Sequence, residues 1–143
     1  MEPLPRTAFP GQLDSLGLIR GYVKDAAASC SLGTAPAYQL MLAVDEIATN
    51  IILHGYQEHG LSGELVVSCA AGDGLLRITL EDTAAPFDPR AVPLPGAEDL
   101  ARPLDDRPMG GLGIYLTVNG VDRFDYRREG DRNINLFEVA LPG

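Results

Sequence analysis

The chain has 143 residues, 45% hydrophobic and 22% charged, and its 20 acidic and 11 basic side chains leave a net charge of −9. Length and apolar content fit a single domain over residues 1–143 and exclude wholesale disorder. All basic residues but Lys24 are arginines, and the longest basic run is Arg127-Arg128, so neither an extended nucleic-acid track nor a basic patch for an anionic membrane is available.

No apolar run approaches the ~20 residues of a membrane span. The opening Met1-Glu2-Pro3-Leu4-Pro5-Arg6 lacks the basic-then-apolar order of a secretory signal, and a cytoplasmic location is expected. Cys30 and Cys69 have no CxxC spacing and are expected as reduced core thiols.

In chain order, residues 4–9 are a candidate edge strand before the Pro10-Gly11 turn. Leu13, Leu16, Ile19, Tyr22, Val23 and Ala26 recur at three and four, which predicts an amphipathic helix from Gln12 to about Cys30, stopped by Gly33. A second helix is predicted from Thr34, as N-cap, with Pro36 in its first turn, to about Gly55. Residues 64–70 and 75–82 alternate as strands around a Gly72-Asp73-Gly74 turn, placing Leu76, Ile78 and Leu80 on one face. Residues 84–109 hold six prolines and no period, as a lid or other functional loop would. A short helix at 114–118 comes next, then strands at 121–128 and 133–141 joined by Glu129-Gly130-Asp131. Hairpin-connected strands with helices between them predict an α+β sandwich with the helices on one face.

Three segments can carry chemistry. On the second helix, Leu40, Ala43, Val44, Ile47 and Ile51 form the buried stripe and Glu46, Asn50 and His54 a row along its border. A carboxylate and an amide one turn apart suit Mg²⁺, which takes few protein oxygens, although a solvated Glu46 and a capping Asn50 would give the same pattern. At the end of a strand, Asp82 can accept from a ligand amine beside the small Ala84 and Ala85, or simply close an Asx turn on its own backbone. Gly110, Gly111 and Gly113 enter the short helix, where convergent N–H groups suit a phosphate and a flexible hinge is the alternative.

In this order and at these separations, VDEIATNIILHGY, DTAAPFDP and GGLGIYLTVNGVDRFDY resemble the N box and two glycine boxes of the GHKL ATPase superfamily. More closely, they resemble the small bacterial anti-sigma factor Ser/Thr kinases of the RsbW and SpoIIAB type, over nearly the whole chain from the first helix onward. The resemblance implies the Bergerat fold, a two-layer α/β sandwich with a mostly antiparallel mixed sheet, and the use of ATP with Mg²⁺. It implies that Glu46 is the general base toward the acceptor hydroxyl, that Asn50 is the Mg²⁺ ligand, and that Asp82 takes the adenine amino group. Gly110, Gly111 and Gly113 would then line the triphosphate, with Arg102 or Arg107 of the lid neutralising it. Arg20 would face a protein partner, while His54 and Tyr56 would pack. Ala84 stands where the resembled family usually has glycine, and its methyl is tolerated if φ there is negative.

The implied activity is an ATP-dependent protein serine/threonine kinase acting as an anti-sigma factor or similar switch. Its partners would be a sigma factor or other regulatory protein and a STAS-type antagonist, which it phosphorylates, and it would be a homodimer. The competing expectation is a non-catalytic or nucleotide-sensing protein-binding module on the same fold.

Overall fold

The computed structural model describes residues 4–91 and 119–142. Strand β1 (Thr7–Pro10) leads through a short 3₁₀ turn into helix α1 (Leu16–Ser29), and helix α2 (Thr34–Asn50) continues into a wide π-type turn, Ile51–Tyr56. Strands β2 (Glu64–Gly72), β3 (Leu75–Asp82), β4 (Arg123–Glu129) and β5 (Arg132–Ala140) join β1 in the sheet. They form one sheet in the order β1-β2-β3-β5-β4, and every pairing among these strands is antiparallel.

Alternation along the strands decides which side is covered. Leu65, Val67, Cys69, Leu76, Ile78, Leu80, Phe137 and Val139 turn to one face and join Ile19, Val23, Leu40, Val44 and Ile47 of the two helices in a single core. The predicted stripe of α2 is buried throughout. Cys69 lies in that core, Cys30 is only half-buried, and both are free thiols.

Local chemistry sets the joints. The β2–β3 hairpin turns on Asp73 and Gly74, both at positive φ (53° and 76°), as a two-residue loop matching the strand twist requires. Helix α1 does not end on Gly33. Ser31 takes the left-handed conformation (φ 54°), and the Leu32 and Ser31 N–H groups return to Ala27 O and Ala28 O at 3.0 and 3.1 Å. Gly33 instead occupies the N-cap of α2 in extended geometry, so Thr34 is the first helical residue rather than the cap. The missing N–H of Pro36 falls in the first turn, where no intrahelical acceptor exists for it.

The opposite face of the sheet is polar. Arg77 donates from Nε and Nη2 to Glu138 Oε2 at 2.8 and 2.6 Å, and Arg123 Nη1 reaches Glu138 Oε1 at 3.2 Å. Arg123 also meets Asp125, which pairs with Arg90, itself bonded to Asp88, so alternating charges run from the sheet to the segment after β3.

Candidate functional site

Asp82 is the last residue of β3. Period-two alternation puts it on the same face as Leu76, Ile78 and Leu80, so its carboxyl enters the covered side and is 3% exposed. Its Oδ1 accepts the Ala84 N–H at 2.9 Å, closing an Asx turn, and the Asn133 Nδ2–H at 2.8 Å. Its Oδ2 is buried and has no partner among the described residues. The Asx turn and a free acceptor therefore coexist, one on each oxygen. Burial pushes the Asp82 pKa up, against the hydrogen bonds from Asn133 and Ala84 and the charge of Arg128.

The turn after Asp82 is held from three sides. Tyr56, 1% exposed, accepts the Thr83 N–H at 3.0 Å and donates to Glu64 O at 2.7 Å. Arg128 Nη1 donates to Ala84 O at 3.1 Å. Asn133, directly opposite Asp82 in the β3–β5 register, also reaches Ala84 O and Ala85 O at 3.2 Å, and the Tyr126 hydroxyl donates to its Oδ1.

The facing wall comes from α2 and the π-type turn. That turn differs from the predicted continuation of α2 to Gly55, because the chain widens to six residues to seat Tyr56 between Gly11 and Gly63 and bring Gly55 against Ala84. A Cβ on Gly55 would lie 2.8 Å from the Ala84 methyl, so only glycine permits this approach. Ala84 is itself 2% exposed and is not among the positive-φ residues, so its methyl is accommodated without backbone strain.

Between these walls lies a cavity of about 420 Å³. Asn50, His54, Asp82, Ala84, Asn133 and Asn135 line it with Ile47, Ile51, Pro86, Phe87 and Pro89. An apolar hollow with a few convergent polar groups has the make-up of a small-molecule site. Asn50 is 8% exposed and borders it. Glu46, one turn earlier on α2, is half-buried and is not among the described residues lining the cavity. Burial raises its pKa, the negative Asp45 adds to this, and His54 opposes it. His54 pairs with Glu58 at the cavity mouth.

Of the remaining predicted residues, Arg20 lies away from the cavity, where it ties α1 to Asp45 of α2 at 2.7 Å with its side chain 43% exposed. Arg102, Arg107, Gly110, Gly111 and Gly113 lie outside the described residues. No group of three or more His, Cys, Asp or Glu side chains that could hold a metal occurs among the described residues. No described helix is long and apolar enough to cross a membrane. Sequence reasoning missed Asn133, Asn135, Tyr126 and Arg128. The available signal was Asn-Ile-Asn within a strand, since asparagine is depleted from strands.

A family model described as the histidine kinase-like ATPase domain matches residues 9–136. The chain belongs to the histidine kinase-like ATPase domain family. This histidine kinase-like ATPase domain is 27% identical over 112 residues to proteins named serine-protein kinase RsbW from Bacillus thuringiensis and Bacillus cereus, covering 76% of this chain and 67% of theirs. Among solved structures, the RsbU and RsbW domains of a Mycobacterium tuberculosis protein share the fold with a TM-score of 0.64 at 16% identity. That likeness covers 97% of this chain and 33% of the other. The histidine kinase domain of a blue-light activated kinase from Erythrobacter litoralis has a TM-score of 0.51 at 19% identity, covering 90% of this chain and 60% of that one. This domain thus spans a third of the first of these two structures and three fifths of the second.

Proposed function

We propose that this domain is an ATP-dependent protein serine/threonine kinase acting as an anti-sigma factor or similar switch regulator, with a STAS-type antagonist as its phosphoryl acceptor. The observation that carries the reading is the orphaned Asp82 Oδ2 buried in the wall of the 420 Å³ cavity, in a chain of the histidine kinase-like ATPase family. A buried carboxylate oxygen without a donor calls for a ligand N–H, and the adenine amino group supplies one while the apolar walls take the ring. The kinase reading is supported by the relatives named serine-protein kinase RsbW.

Asn50 fits the metal that accompanies the nucleotide. Its amide borders the cavity, and Mg²⁺ brings most of its oxygens from phosphate and water. Bound there, Mg²⁺ would neutralise phosphate charge. Glu46 is the base toward the acceptor hydroxyl, and the raised pKa that burial gives it is the tuning a general base needs. Gly110, Gly111 and Gly113 would line the triphosphate, with Arg102 or Arg107 neutralising its charge. Arg20 and the first helix face the protein partner, and the chain acts as a homodimer.

Phosphoryl transfer from ATP to a purified STAS-domain protein tests this reading. The Glu46→Ala variant should bind ATP as the parent does and transfer roughly 10²–10⁴-fold more slowly. Undiminished transfer would remove Glu46 from that role.

A second reading, a protein-binding module without turnover, draws on Glu46 standing outside the described cavity lining. Calorimetry separates the two. Absence of heat and of any thermal shift at millimolar ATP with Mg²⁺ would favour the module.

A further inference from the structure

Two side-chain acceptors among the described residues are buried without a hydrogen-bond partner, Asp82 Oδ2 and Asn135 Oδ1, and both residues line the same cavity. Asn135 sits on β5 opposite Leu80, two positions from Asn133, which lies opposite Asp82. Asp82 and Asn135 are therefore diagonal neighbours on one face of adjacent strands, with backbones about 7–8 Å apart, so their side chains can close on one ligand atom between them.

Asn133 and Asn135 differ in what they have to do. The Asn133 amide is fully used, accepting from Tyr126 and clasping Asp82 and the turn beyond it. The Asn135 Oδ1 has no partner among the described residues, and the residue is 2% exposed, next to a core to which β5 contributes Phe137 and Val139. Leucine has the same branched shape and would fill the volume without burying an amide, so Asn135 is ill-suited to packing and well placed for a ligand.

We propose that Asn135 is a specificity-determining residue whose Oδ1 accepts one proton of a primary amino group on a flat ring while Asp82 Oδ2 accepts the other. The inference rests on the reading of the cavity as an adenine-nucleotide site and adds the group that completes recognition of the base. Asp82 alone does not choose between purines, because a carboxylate also accepts from the ring N–H and amino group of guanine. A pair of acceptors converging on the substituent at the 6-position of the purine does choose. Only an unsubstituted amine puts two donors there, whereas the guanine carbonyl oxygen would face two acceptors with no proton to share.

The test uses calorimetry on the whole chain and on Asn135→Leu with ATP and with the ATP analogue carrying one methyl group on the adenine amino nitrogen. The parent should bind the methylated analogue about three- to tenfold more weakly than ATP, the worth of one hydrogen bond. Asn135→Leu should bind ATP weaker by a similar factor and show no further loss on methylation, with a melting temperature equal to or above the parent's. Asn135→Ala, read in the same way, replaces it should the leucine variant not fold. A methylation penalty of equal size in parent and variant overturns the role of Asn135 while leaving the ATP site intact. Failure of the parent to bind either nucleotide overturns both.

Discussion

The two faces of the sheet bury a carboxylate to the same depth and treat it in opposite ways. Asp82 and Glu138 are each 3% exposed. On the open face, Glu138 lies under two arginines; hydrogen bonds from Arg77 hold its pKa below the usual carboxylate range against the pull of burial, and Arg123 adds to them. On the covered face, Asp82 has amide donors on one oxygen and none on the other, and burial leaves its pKa raised. A carboxylate whose donors are all supplied by the protein holds the structure together, whereas one left half-supplied is open to a ligand.

The largest expected effect breaks the covered side. Asp82→Asn keeps the shape but can turn a donor toward the ligand amine, and ATP affinity should fall about 10- to 100-fold, the equivalent of ~1.5–3 kcal/mol, as read by calorimetry. The melting temperature should not drop with it. Next, Gly55→Ala forces its new methyl against that of Ala84 and should cost about 1–3 kcal/mol of stability in denaturant titration. Ala84→Gly added to it should restore most of that loss, because the pair then again carries one methyl. On the open face, Glu138→Gln should cost about 1–2 kcal/mol and leave ATP affinity unchanged, the reverse of Asp82→Asn. The smallest effect lies on neither face. Ser31→Gly removes a non-glycine residue from left-handed geometry and should raise stability by about 1 kcal/mol.

The same contrast has a pH signature of opposite sign. The folded-state pKa of Asp82 lies above its unfolded value, so its contribution to stability is complete below the ordinary aspartate range and is lost as pH rises through the folded value. That of Glu138 lies below its unfolded value, so its contribution is complete above the ordinary glutamate range and is lost as pH falls through the folded value. Unfolding free energies across the acidic range should show Asp82→Asn removing a loss on the rising side and Glu138→Gln removing one on the falling side. ATP affinity should weaken on acidification at a pH above that of an ordinary aspartate, since a protonated Asp82 accepts less well.

Legibility in the sequence divides by range. The stripe of α2, the hairpin on Asp73-Gly74 and the exit of Asp82 from its strand depend on periods and turn residues within a few positions of one another, and the structure has all three. Asn133 and Asp82 are 51 residues apart and meet only through the β3–β5 register, which no local pattern specifies. The exit of α1 through Ser31 was hidden because glycine is the usual left-handed residue and Gly33 stood two positions away. The widened turn after Asn50 was hidden because six residues are too short a stretch to show a change of helical period.

That widened turn links residue count to winding. Wound as an ordinary α-helix, the same six residues 51–56 would swing the residues beyond them by about 100° and carry the tyrosine ring away from its two glycine neighbours, whereas five residues wound that way would end in nearly the same direction. Homologous chains that keep the pocket should therefore carry either this wide turn or an ordinary α-helical one shorter by a single residue.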